Sequence, residues 1–312
     1  MSNTKRKNII IYFNINYICD NRCRFCFSYH IDNSKDTNIK IEDFAKILDK
    51  HKDDHIIRVI INGGEPFLNP DVIRMISEVK KRKLECVLYS NANALRNRDI
   101  VEQLTQAMPN RITIPIHGSK NNHCYITRNM NSYDYVMSGL DLLGKKITSS
   151  IVELKFIINE GMVRENYDIK NFLMGFPFVE NIVICGQVNT HVAKDNGYIN
   201  QYNQDYYSYI ERQLRSLIGC YNIKVYDLHF CKLPVMLNVL EYTSVIQNTE
   251  IYNDFYFYDN EHLGDYKLFF TKHGMDDPNC SSCKLQHYCH SILKNYSVLS
   301  IDKEQKLIMT YE

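Results

Sequence analysis

The sequence lacks several features that would place it in a class at once. Its 37 basic and 36 acidic side chains leave a net charge of only +1. That balance provides no broad field for nucleic acid and no polybasic anchor for a membrane surface. No apolar run approaches the roughly 18–20 residues of a spanning helix. No cleavable signal is visible: polar, basic residues 1–8 lead straight into apolar residues 9–15 without a small-residue cleavage site, so that run reads as a first strand. There is no short repeat and no low-complexity linker. What is left is a globular chain of 312 residues, 45% hydrophobic and 23% charged, sized for one large domain and a small appendage.

Cysteine is not scarce. Eleven are present, an odd number in a large chain without a signal peptide. In a reducing compartment, clustered cysteines point to metal or catalysis rather than to a disulfide framework. Seven fall into two groups: Cys19, Cys23 and Cys26, then Cys231, Cys280, Cys283 and Cys289. The scattered Cys86, Cys124, Cys185 and Cys220 read as small buried hydrophobes.

Strand-like and helix-like runs alternate. Strands are expected at 9–16, 56–61, 84–89, 111–116, 151–158, 181–185 and 222–226. Helices are expected at 41–50, 71–83, 98–108, 132–143 (capped by Gly144), 164–174 and 202–218. Such alternation predicts a parallel sheet wrapped by helices, open or barrel-like. The pattern weakens after Tyr226, which suggests a barrel over 1–226 and a small domain over 227–312.

The first cysteine group, C-x3-C-x2-C, directly follows the first strand. Three thiolates on one loop can hold three irons of a [4Fe-4S] cluster and leave the fourth open, with Phe25 beside the last cysteine as a shield. Zinc, with His30 as fourth ligand, is the alternative metal. Three incidental core cysteines fit poorly with Asp20, Asn21, Arg22 and Arg24 between them.

This run resembles the signature of the radical S-adenosylmethionine (SAM) superfamily, and further motifs follow in that family's order. Asn62-Gly63-Gly64-Glu65-Pro66 closes the second strand and resembles the family's GGEP motif. The resemblance implies that a backbone edge here meets the amino group of SAM. Two glycines permit close backbone approach, and Glu65 offers an acceptor for an ammonium. Ser90 and Asn91, after the third strand, are candidates for SAM's carboxylate or ribose. His117 lies at the C-terminal mouth of the fourth strand, where barrel active sites form. The stretch 123–128 with Ser132-Tyr133 is similar to a family segment in which Arg128 would pair with SAM's carboxylate or a substrate group. Cys124 stands there where the family usually has Asp. Residues 156–166 and 184–187 resemble regions that reach the adenosyl group.

The second cysteine group offers Cys231 in a Phe-Cys-x-x-Pro context and Cys280, Cys283 and Cys289 as C-x2-C-x5-C. It resembles the shortened twitch form of the SPASM auxiliary-cluster domain. It is especially similar to that of peptide maturases, including those of the His-Xaa-Ser system. The resemblance implies a second [4Fe-4S] cluster on these four cysteines. Zinc on the same set, or competition from His287 and His290, stays open.

The implied fold is α/β, a partial (β/α)6 TIM-type barrel with a small C-terminal auxiliary-cluster domain. The implied activity is reductive cleavage of SAM to a 5′-deoxyadenosyl radical, then hydrogen abstraction from a ribosomally made peptide, ending in a crosslink or an epimer. In the second case Cys124, Cys185 or Cys220 is a candidate hydrogen donor. The alternatives are a radical SAM enzyme for a small molecule or nucleotide, and a non-catalytic iron–sulfur or zinc protein. Implied partners are a peptide, an electron donor of the flavodoxin or ferredoxin type and, since about eight residues precede the first strand, a separate leader-recognition protein. The Tyr-rich segment 251–258 is a candidate peptide surface. Neither nucleic acid nor membrane is expected, and the setting is expected to be cytoplasmic.

Overall fold

The computed structural model describes residues 8–26, 37–53, 55–147, 152–187, 189, 191–228, 232–233, 254–258, 263–265, 297–301 and 307–311. Seven parallel strands follow one another across a single sheet in chain order: β1 (Asn8–Asn14), β2 (His55–Asn62), β3 (Glu85–Tyr89), β4 (Arg111–Ile116), β5 (Val152–Ile158), β6 (Asn181–Gly186) and β7 (Asn222–Tyr226). This is the partial TIM-type α/β architecture, with seven parallel strands where six strand–helix units are expected. Later segments extend both flanks. β8 (Asp254–Tyr258) lies parallel to β1 and carries β9 (Leu263–Asp265), while β10 (Ser297–Ile301) runs antiparallel to β7 and pairs with β11 (Leu307–Tyr311). Residues 254–258 of the Tyr-rich segment are therefore a strand between β1 and β9.

The connecting helices are α1 (Ile41–Lys50), α2 (Val72–Lys81), α3 (Arg98–Ala107), α4 (Lys120–Thr127), α5 (Ser132–Lys146), α6 (Glu160–Arg164), α7 (Ile169–Met174), α8 (His191–Asp195) and α9 (Gln204–Leu217). Their apolar stripes explain most of them. Ile41, Phe44 and Leu48 of α1 and Val72, Met75, Ile76 and Val79 of α2 recur at helical spacing and are buried. They pack on the outer face of the sheet, against residues such as Phe13, Ile61, Leu88 and Ile114. Burial of that face supplies the main stabilisation of the fold.

Two expectations for the helices are corrected. Gly144 does not cap α5. It lies inside that helix, where a Cβ would come within 2.5 Å of the Phe178 ring, and Ile147 is the cap. The single helix expected over 164–174 is two. Asn166 turns into the left-handed region at φ 48°, and the Asp168 side chain caps α7 by accepting from the Asn171 N–H.

The inner face of the sheet differs along its width. On β1–β3 it is apolar, with Ile10, Ile60 and Val87 packed beside Tyr12 and Tyr89. Further round, near the N-terminal ends of the strands, it is charged. Glu153 of β5 is fully buried. It meets Lys224 at 2.7 Å, Arg111 at 3.5 Å and the Thr113 hydroxyl at 2.8 Å. The same N-terminal end is charged on β2 and β3 as well, where Arg58 and Glu85 pair at 2.7 Å.

Candidate active site

The cysteine loop leaves β1 at the C-terminal edge of the sheet and is held by backbone pairing. The Arg22 N–H donates to the Thr127 carbonyl at 2.9 Å and the Arg24 N–H to the Ile126 carbonyl at 3.0 Å, which fixes the loop to the end of α4. Within the loop the Cys26 N–H donates to the Cys23 carbonyl at 3.1 Å, and the Asn21 N–H points at the Cys19 sulfur at 3.4 Å. Burial pushes the Cys19 thiol up to about 12 and Cys23 well above its ordinary range, and the neighbouring sulfurs add to both shifts. Cys19 and Cys23 are therefore poor thiolates until a cationic centre stabilises them.

A second layer of amides locks the loop. Asn91 donates to Asp20 at 2.6 Å and approaches the Cys19 sulfur at 3.7 Å. Asn93 donates to Asp20 at 2.9 Å and to the Asn21 side chain at 3.0 Å. Asn21 donates to Ser132, which also meets His123. Asp20, Asn21, Asn93, His123 and Ser132 were not expected as site residues. The Asn-rich stretch 91–93 was the signal, because buried amides must find partners.

The Gly63-Gly64-Glu65-Pro66 segment adjoins the same loop, but its features turn inward. A Cβ on Gly64 would sit 2.3 Å from the Ile18 carbonyl oxygen, and one on Gly63 would sit 2.6 Å from that of Asn16. The close approach is made by the chain's own residues 16–18, to which the Gly64 and Glu65 N–H groups donate at 2.9 and 2.7 Å. The Glu65 carboxylate is buried and accepts from the Ser90 hydroxyl at 2.8 Å, the Asn91 N–H at 2.7 Å and the Phe67 N–H at 3.1 Å. The Glu65 side chain thus clasps the exits of β2 and β3 together through three donors. Ser90 belongs to that clasp, and Pro66 starts the buried turn that follows it. Arg128 is exposed, caps α4, and donates to the Asn196 side chain at 2.5 Å. Asn196 in turn donates to the Arg24 carbonyl at 3.0 Å, so Arg128 braces the cysteine loop from outside.

Around Phe25 the site is incomplete. Its ring lies edge-on to His117 at 5.4 Å and stacks on Tyr198 at 6.4 Å. Gln187 donates to the Tyr198 carbonyl at 3.4 Å. The His117 Nδ1, the Gln187 Oε1 and the Tyr198 hydroxyl are all buried without a hydrogen-bond partner in the protein. Burial and the neighbouring His123 hold His117 well below its usual range, so its ring is neutral and one nitrogen can accept.

The scattered cysteines divide. Cys86 is in the outer core, Cys124 donates to the Met130 carbonyl at 3.2 Å, and Cys185 lies on the inner face with its sulfur 3.3 Å from Asp227. Cys220 is exposed, against the expectation of burial, because it sits in the turn after α9. Cys231, Cys280, Cys283 and Cys289, with His30, His287 and His290, lie outside the described residues.

Residues 13–167 match the family model described as the Radical SAM superfamily. The chain belongs to that superfamily. Among solved structures the radical SAM fold here is similar to SuiB of Streptococcus suis, at 16% identity and a TM-score of 0.58, over 78% of this chain and 54% of SuiB. It is also similar to anSMEcpe with bound AdoMet, at 14% identity and a TM-score of 0.55, over 68% of this chain and 58% of that one. The chain thus spans a little over half the length of each. One SuiB structure holds the precursor peptide SuiA, and one anSMEcpe structure holds AdoMet with a Kp18Cys peptide. No curated protein matches the chain.

The radical SAM family implies a [4Fe-4S] cluster and SAM, and this site fits both. Among the described residues no three His, Cys, Asp or Glu side chains gather round a single-ion position. A cluster takes one thiolate per iron, and the loop offers three cysteines. The orphaned atoms of His117, Gln187 and Tyr198 beside the cysteine loop fit a polar ligand such as the adenosyl group of SAM. Among the described residues no helix is long and apolar enough to cross a membrane.

Proposed function

We propose that this chain is a peptide-modifying radical SAM enzyme. Cys19, Cys23 and Cys26 would hold the SAM-binding [4Fe-4S] cluster. When bound, cluster and SAM supply a 5′-deoxyadenosyl radical able to take hydrogen from an unactivated C–H bond. The protein's share is placement. Phe25 covers the loop from the mouth. The 63–66 backbone and Asn91 border SAM's amino-acid end. His117, Gln187 and Tyr198 take the adenosyl end, and Arg128 acts through Asn196 on the loop.

The observation that carries this reading is the pair of buried, unpartnered polar atoms on His117 and Tyr198, whose rings both meet Phe25, one residue from Cys26, with the orphaned Gln187 amide held to Tyr198. The peptide substrate is supported by the peptides held in similarly folded SuiB and anSMEcpe structures. A second [4Fe-4S] cluster on Cys231, Cys280, Cys283 and Cys289, a barrel ending near residue 226, a flavodoxin- or ferredoxin-type donor, a separate leader-recognition protein and a cytoplasmic setting complete the proposal. The test is 5′-deoxyadenosine formation by anaerobically reconstituted, dithionite-reduced protein given SAM and candidate peptides. Wild type should form it and Cys23→Ala should not. A fully iron-loaded wild type that forms none with any peptide rejects the reading.

A further inference from the structure

The outer side of the cysteine loop carries a surface that neither the cluster nor SAM occupies. Backbone pairing lays residues 22–24 along the end of α4. Asn129, just past that helix, donates to the Asp20 carbonyl at 3.3 Å and to the Asn21 side chain at 3.0 Å. Loop and helix end therefore form one continuous wall. Arginine is its charged component. Arg22 is exposed. The Arg24 guanidinium lies 3.9 Å from the centre of the Tyr125 ring and donates to the Tyr125 carbonyl at 3.0 Å. Exposed Arg128 is tied to the same loop through Asn196.

The wall is also apolar. Six large apolar side chains are exposed among the described residues, and three of them gather here: Tyr125 at 53%, Met130 at 79% and Ile199 at 50%. Tyr125 meets the ring of Tyr198, the neighbour of Ile199, at 6.1 Å, and the Met130 carbonyl accepts from the Cys124 thiol that precedes Tyr125. Exposed apolar residues scattered singly need no explanation, but a group of them rimmed by charge marks an interaction site. The rim is cationic. Arg22, Arg24 and Arg128 stand against one carboxylate, Asp20, which accepts from Asn91 and Asn93 on the far side of the loop. Lys194 and Asp195, both exposed beside Asn196, offset each other. Position adds the last constraint. Arg22 and Arg24 flank Cys23, so their Cα atoms lie about 3.8 Å from that of a cluster ligand. A protein seated on this wall reaches the back of the loop without entering the mouth, where SAM and substrate belong.

We propose that the wall of Arg22, Arg24, Tyr125, Arg128 and Met130 is the docking surface for an acidic one-electron carrier protein that reduces the cluster. This rests on the radical SAM reading and adds where its reductant binds. An apolar centre rimmed by arginines suits a partner with an apolar centre and an acidic rim. The step moves one electron from the reduced carrier to the oxidised cluster, and no bond forms or breaks.

The probes are an acidic flavodoxin and an acidic [4Fe-4S] ferredoxin, each titrated in its oxidised form by calorimetry into anaerobic, cluster-loaded protein. At least one should bind, and its affinity should fall as salt is raised. Met130→Glu and Arg22→Glu should each weaken that binding about tenfold by setting a like charge against the partner, while Met130→Leu and Arg22→Lys should keep it. 5′-Deoxyadenosine formation driven by the reduced carrier should fall in Met130→Glu, and formation driven by dithionite should not. Binding of neither carrier, binding insensitive to salt, or equal binding by wild type and both Glu variants overturns the proposal. An equal fall with carrier and dithionite assigns Met130 to the loop's own structure and overturns it too, as does a Met130→Glu variant that loses affinity for peptide and not for the carrier. A wild type that binds the carrier yet forms no 5′-deoxyadenosine with either reductant keeps the docking surface and rejects the radical chemistry. Product with dithionite but no carrier binding does the reverse, so the two failures are distinguishable.

Discussion

At the N-terminal ends of the strands, Glu153 is enclosed with Lys224, Arg111 and Thr113 around it. At the C-terminal ends His117, Gln187 and Tyr198 are enclosed too, each with a polar atom that meets nothing in the protein. Both sets are buried polarity on one sheet, and the Glu153 Oε2 lacks a hydrogen bond as the mouth atoms do, but it has the Lys224 ammonium at 2.7 Å beside it. The floor brings its counter-charges with it and returns part of the desolvation cost. The mouth leaves polar atoms unpaired, at about 1–3 kcal/mol each. A fold keeps such a deficit where a ligand will fill it. On the function proposed above, the floor stabilises the fold and the mouth binds.

The largest effect should come from breaking the floor. Glu153→Ala leaves Lys224 and Arg111 without their shared anion. The expected loss is about 3–5 kcal/mol of unfolding free energy, the usual result of stranding a buried charge. A denaturant titration reads it as a lower midpoint at unchanged slope. A loss under about 1 kcal/mol would mean that the floor behaves as a surface pair, and the contrast with the mouth would collapse.

Glu65 sharpens the comparison, because it is a satisfied carboxylate within the mouth. Glu65→Gln would turn an amide NH2 toward one of the donors that the carboxylate now accepts, with an expected loss of about 2 kcal/mol. The pH dependence has a defined sign. Burial raises the Glu65 carboxyl from an ordinary value of 4.5 to about 7. An acid raised on folding favours the folded state below the lower value, and that share fades as pH rises toward 7. The decline across this window should flatten in Glu65→Gln. An unchanged slope would assign the titration elsewhere.

Much of the fold was legible for a simple reason. Helix α1 and strands β4 and β7 fall on their expected bounds, because Ile41, Phe44 and Leu48 keep the helical period and the strand runs are short, apolar and punctuated. The cysteine loop was legible from spacing alone. Helix α4 was not, because its buried face is polar: Asn122, His123 and Thr127 lie inside, and an apolar-period search passes over such a helix. Gly144 misled because a glycine that admits a ring resembles a glycine that ends a helix. The clasp at Glu65 was not legible, because its three backbone and side-chain donors cannot be inferred from the residue that accepts them. Tyr198 carried no local signal at all, since its place beside Phe25 depends on a contact between segments 173 positions apart.

The smallest expected effect is the most discriminating. Tyr198→Phe keeps the ring stacked on Phe25 and removes only the buried, unpartnered hydroxyl. A purely structural tyrosine would lose stability or show no change. If the mouth holds its polar atoms for a ligand, the apo-protein should gain about 1 kcal/mol, since an unmet desolvation cost disappears. SAM affinity should at the same time fall several-fold, because one donor to the bound ligand is gone. The two shifts have opposite signs, and the floor has no substitution expected to give that pair. Thermal melts of apo-protein and SAM titrations of cluster-loaded protein measure them independently. A destabilised variant with unaltered SAM affinity would place Tyr198 with the floor, as structure, and leave the mouth with two orphaned atoms instead of three.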